Sequence, residues 1–147
     1  MKEDKTTKKE ALQGLVATLR KWQGIEDGSV ALTSSILEKT RNPLIQLVME
    51  IIRQDSIMHK KVQQAILDSL EKEAFSLQVE ELAEVWDMIE KHDQAEKEAI
   101  RLAEEAKRAC PLVIQRQLLD YLIEDEKKHD RLMGNLEDFK RNIYPYA

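Results

Sequence analysis

Apolar residues recur every three or four positions in four blocks of this chain, the period of a helix that buries one face. Leu12, Leu15, Val16, Leu19, Trp22, Ile25, Val30, Leu32 and Ile36 trace a first helix, which Asn42-Pro43 ends. Asn42 also suits the N-cap of a second helix with Pro43 at its first position: the asparagine side chain accepts from free N–H groups, and proline lacks only a donor that the first turn leaves unused. The second stripe runs through Leu44, Leu47, Val48, Ile51, Ile52, Met58, Val62 and Ile66. Val85, Met88, Ile89, Ala95, Ala99, Ile100 and Ala103 mark a third helix. Cys110-Pro111 stops it and restarts a fourth through Leu118, Leu119, Leu122, Leu132 and Leu136.

Between the second and third stripes the period changes. Phe75, Leu77 and Val79 alternate with Ser76, Gln78 and Glu80, as in an extended segment lying on an apolar surface. Fully extended, Leu70 to Glu84 reaches roughly 46 Å, enough to run the length of a helical bundle. The alternation favours a crossover there. The alternative is a third helix starting near Gln78, since Val79, Leu82, Val85 and Trp86 also fit a helical stripe. The pattern thus predicts one all-α domain over 1–147: a charged, solvated tail at 1–10, a helical hairpin at about 11–70, a crossover at about 71–84 and a second hairpin at about 85–141.

Composition fits amphipathic helices, with 42% hydrophobic and 35% charged residues, and four Gly and three Pro leave few turns for a β-protein. A net charge of −5 and a pI near 5.3 argue against nucleic acid or an anionic membrane as partner, because phosphate binding needs a basic face. No run approaches the ~18 apolar residues of a membrane span. The single cysteine, Cys110, can neither close an internal disulfide nor build a thiolate metal site alone, so a reducing, cytoplasmic setting is expected. Trp22, Trp86, Tyr121 and the five methionines read as packing residues.

The polar residues add an internal repeat. Glu26 and Glu96, Asp55 and Asp125, and His59 and His129 are each 70 residues apart, and Glu96 precedes Glu126 by the 30 residues that separate Glu26 from Ser56. Such phasing predicts two fused hairpins, each supplying half of one site. Glu126 and His129, three apart, share a helix face with Leu122, Leu132 and Leu136, while Glu26 and Glu96 border the buried stripes. His92, one turn before Glu96, is either a further ligand or a hydrogen-bonded histidine of the core. A buried carboxylate needs a compensating partner, and a metal cation is one. Mixed carboxylate and imidazole donors suit Fe or Mn, and Zn also binds them.

This constellation resembles the ferritin-like superfamily, and more narrowly its rubrerythrin-like di-iron carboxylate branch, over about residues 12–141. In that fold two helices of a four-helix bundle each give one Glu and the other two each give Glu-x-x-His. The resemblance implies a ferritin-like four-helix bundle made of two repeated hairpins joined by a crossover. By position it implies Glu26, His59, Glu96, Glu126 and His129 as metal ligands, with His92 as an additional candidate. It also implies one or two iron ions, an iron-dependent oxidoreductase of di-iron peroxidase or ferroxidase type acting on peroxide or dioxygen, or an iron-handling protein, served by an external electron donor. A homodimer is expected. Asp55 is expected to orient His129 and Asp125 to orient His59, because ligand histidines donate their other N–H to a carboxylate.

Two departures stand out. Ser56 occupies the place of a fourth carboxylate, and no Cys-x-x-Cys pair provides a rubredoxin domain. Three glutamates match the charge of one divalent ion better than that of two. The alternative reading is a helical-bundle interaction module whose metal site has decayed to one ion or none; such a module would tolerate Ser56.

Overall fold

The computed structural model describes residues 2–143, with side chains for 7–142. All regular structure among them is helical, in four helices: α1 Lys2–Lys39, α2 Pro43–Glu71, α3 Val79–Ala109 and α4 Val113–Ile143. The chain divides into two units, one with α1 packed on α2 and the other with α3 packed on α4. Each is an antiparallel hairpin. In the first, Arg20 pairs with Glu71, Gln23 with Gln64 and Asp27 with Lys60, so residue numbers rise on one helix as they fall on the other.

The joints are built alike. Asn42 Oδ1 accepts from Leu44 N at 3.0 Å and Ile45 N at 3.1 Å, capping α2 as its sequence predicts. Gln46 Nε2 donates to the Thr40 carbonyl at 3.1 Å, closing the end of the first joint. Seventy residues on, Arg116 Nη1 donates to the Cys110 carbonyl at 3.1 Å and to that of Lys107 at 2.8 Å. The repeat is therefore present in backbone satisfaction as well as in side-chain pattern. It also governs burial, which runs identically along residues 21–30 and 91–100 and along 41–50 and 111–120.

Two boundaries differ from the sequence reading. The charged residues before Glu10 belong to α1, which begins at Lys2 and not near 11, and its side chains from 7 to 10 are exposed. No Gly or Pro interrupts that stretch before Gly14, and charged residues of this type propagate a helix well. The extended segment is shorter than the expected 71–84, because α3 starts at Val79 with Glu80 and Glu81 in its first turn, where carboxylates favour the helix N-terminus. From Glu71 to Val79 the chain spans roughly 28 Å at full extension, against about 44 Å for the 29 residues of α2.

Leu19, Glu26 and Thr33, spaced by seven, form the buried line of α1, and Ser56, Gln63 and Leu67 form that of α2. A seven-residue spacing keeps a helix face against its partner along its whole length. In the second hairpin Leu82 and Glu96 lie on the corresponding line of α3, and Ile123 is buried on α4. Both hairpins thus place a glutamate where a coiled-coil seam ordinarily carries an apolar residue. Each also leaves large apolar side chains exposed, among them Ile25, Leu32 and Met58 in the first and Met88, Leu102 and Val113 in the second. No described helix is long and apolar enough to cross a membrane.

Candidate metal centre

Glu96 is the most constrained charged group of the second hairpin. Its side chain is 7% exposed, and its Oε2 has no hydrogen-bond partner. His92 Nε2 lies 2.7 Å from Glu96 Oε1, and His129 Nδ1 lies 3.5 Å from the same oxygen. His129 Nδ1 is also 3.6 Å from Glu126 Oε2. One ligand atom from each of Glu96, Glu126 and His129 falls within 4.8 Å of the others. Bonds of ~2.1 Å at a tetrahedral angle would put ligand atoms about 3.4 Å apart, so this trio is close to the spacing that one ion requires.

Charge in the cluster is shared unequally. A proton held between the two carboxyls leaves Glu96 below the ordinary carboxylate range and pushes Glu126 above it. Burial and the Glu96 charge add to the rise at Glu126, whereas the His129 and His92 imidazoles favour the ionised form of Glu96. An ion seated here would replace that proton, because carboxylate ligands bind deprotonated. On the far side of His129, Asp125 Oδ2 lies 3.5 Å from Nε2, while its Oδ1 pairs with Lys128. With Nδ1 facing the glutamates and Nε2 facing Asp125, the ring is poised in the carboxylate–histidine–metal arrangement that fixes ligand orientation. The expected partner for Asp125 was His59; the carboxylate found beside His129 is its own helix's Asp125.

The first hairpin repeats the glutamate–histidine contact but has no second carboxylate in it. Glu26 is as buried as Glu96, and its Oε1 meets His59 Nδ1 at 3.3 Å. Ser56 is buried, as its place on the repeat requires, and its hydroxyl donates to Ser29 Oγ at 2.9 Å. Asp55 is half-buried on α2. The structure thus joins Glu96, Glu126, His129 and His92 in one cluster and Glu26 with His59 in another. His92 approaches Glu96, but its side chain is 63% exposed and belongs to no core. His59 is exposed as well. Imidazoles at the seam's edge reach inward to the carboxylates; only the carboxylates lie on the seam itself.

Two residues absent from the sequence reading shape the first cluster. Ser29, three after Glu26 on the same helix face, takes up the Ser56 hydroxyl. Gln63 is almost wholly buried one turn after His59, with both amide atoms unpartnered. The seven-residue spacing from Ser56 to Gln63 was the signal available for the latter.

Donor chemistry and geometry together fit a divalent first-row metal in the second hairpin: two carboxylates, one imidazole and a buried oxygen with free lone pairs. Comparison with protein-family models, with curated proteins and with solved structures finds no match to this chain.

Proposed function

We propose that this chain is a metal-binding protein of ferritin-like, rubrerythrin-like type, an iron-dependent oxidoreductase that acts on peroxide or dioxygen or handles iron. The observation that carries the reading is the grouping of Glu96, Glu126 and His129, with the buried, unpartnered Oε2 of Glu96 beside them. An unpaired carboxylate oxygen in such a place is costly unless a cation or proton compensates it. The ferritin-like bundle is supported by the ligand pattern and the 70-residue repeat.

Glu96, Glu126 and His129 would hold the ion, and Asp125 would orient His129. Bound iron would supply one-electron chemistry toward peroxide or dioxygen. The chain's own contribution is to keep Glu96 ionised, to release the proton held at Glu126 when the ion enters, and to fix the His129 ring. Three protein ligands leave coordination positions for an incoming oxidant.

Elemental analysis of protein purified without chelator is the test. The expected result is close to one Fe, Mn or Zn per chain, reduced at least tenfold in occupancy by Glu126→Ala and by His129→Ala; full occupancy in both variants would remove the centre. For the iron form, peroxide or air should then produce ferric absorption in the near ultraviolet. A second reading, a helical interaction module, is favoured by one observation: the Ser56 hydroxyl is committed to Ser29, a finished structural contact with no metal role. Loaded protein inert to both oxidants supports that reading.

A further inference from the structure

We infer that His92 is a positioning residue of the metal centre and not one of its ligands; the inference rests on the metal-binding reading above. His92 Nε2 approaches Glu96 Oε1 at 2.7 Å, the distance of a strong charge-assisted hydrogen bond. The atoms that close on one another as a ligand set are those of Glu96, Glu126 and His129. Pairs of His and Glu four residues apart are common on helix surfaces and are worth little when both ends are solvated. This one is different at its carboxylate end. Glu96 lies on the buried seam, where little of its carboxylate meets water, and His92 reaches it from the edge with most of its ring in solvent.

The consequence concerns which oxygen remains for the ion. With Nε2–H donating to Oε1, the carboxylate plane is fixed and Oε2 is left with both lone pairs free, as found. Glu96 would then engage an ion through one oxygen. The first hairpin supplies a contrast, because the residue 70 positions before His92 is Trp22. There Glu26 has no imidazole four residues upstream, and its Oε1 faces only His59, the counterpart of the ligand histidine, where Glu96 Oε1 faces both His129 and His92.

The experiment titrates Co(II) alone into the full chain and reads the visible ligand-field bands, which respond to the number and kind of coordinating atoms. His92→Ala should weaken binding by about 10–100-fold, the usual effect of removing an orienting hydrogen bond, with the bands of the saturated protein unchanged. His92→Gln, whose amide N–H can still donate to Glu96, should recover most of the affinity. His129→Ala should change the bands. Equal affinity in His92→Ala would overturn the assignment, and a band shift in that variant would make His92 a ligand. If wild-type protein binds no Co(II), the centre itself falls and the assignment with it; the two failures are thereby distinguished.

Discussion

The two hairpins share a backbone and differ in how they treat a buried carboxylate. Both place a glutamate on the seven-residue seam, both latch their joints with the side chain at the same point of the repeat, and both bury the same positions around the glutamate. In the first, Glu26 meets His59, and the neighbouring Ser56 is satisfied by Ser29. In the second, Glu126 stands where Ser56 would be, so two carboxyls act on each other, Glu96 held below the ordinary range and Glu126 above it, and an oxygen of Glu96 has no hydrogen-bond partner. The difference teaches that burial alone does not make a metal centre. The same buried glutamate has an imidazole as its partner where a serine stands on the facing helix, and keeps an unpartnered oxygen where a second carboxylate stands there.

Ser56→Glu would break this comparison most severely. The substitution removes the bond to Ser29 and inserts a longer, charged side chain into a filled seam beside Glu26. Metal-free protein should lose ~3 kcal/mol of stability, the scale of overpacking combined with an uncompensated buried charge. Added Fe(II) or Co(II) should restore most of it and raise the metal content by one equivalent per chain. Chemical denaturation with and without metal reads both effects. A stable metal-free variant with unchanged metal content would show that Ser56 marks no vacant ligand position.

The contrast between the hairpins also predicts a pH response in the second. Glu126 is held above its ordinary range, so its contribution to stability is complete below that range and is lost as pH rises through the raised titration. Glu96 is held below, so its contribution is present above the ordinary range and is lost as pH falls through the depressed titration. Metal-free protein should therefore protect α3 and α4 best in the mildly acidic window between the two. Hydrogen exchange of amides in those helices, followed across pH, checks it. Glu126→Gln, whose amide can donate to Glu96 at any pH, should flatten the alkaline side of the profile; a slope that survives this change would mean that the proton lies elsewhere.

How much of this was legible in the sequence depended on the range of the interaction. Helix number, the Asn42 cap and the shared face of Glu126 and His129 follow from spacing, because residues three, four or seven apart share a face whatever lies opposite. The Ser56–Ser29 bond depends on the register between α1 and α2, which periodicity within either helix does not contain. The exposure of His92 turns on whether the ring sits on the seam or beside it, a rotation smaller than one helical step. The start of α3 was ambiguous for another reason: Val79 satisfies both the alternating and the helical pattern, and the acidic first turn decided between them.

The smallest effect concerns the joints, where the hairpins diverge in chemistry while agreeing in geometry. Gln46 N donates its helical bond to the Asn42 carbonyl at 3.0 Å, and Arg116 N does the same to that of Leu112 at 2.9 Å, so Asn42 and Leu112 occupy equivalent positions. Only Asn42 can offer a side-chain oxygen to the free N–H groups of its helix. The second joint instead relies on Arg116, whose guanidinium satisfies carbonyls at the end of α3 and leaves the start of α4 without a side-chain cap. Asn42→Ala should therefore cost about 1 kcal/mol, measured by denaturation, with faster hydrogen exchange confined to the first turn of α2. Leu112→Asn should slow exchange in the first turn of α4 and recover stability of the same order. If Asn42→Ala has no effect, solvent serves the α2 donors as well as the asparagine does, and the two joints are equivalent in energy as well as in shape.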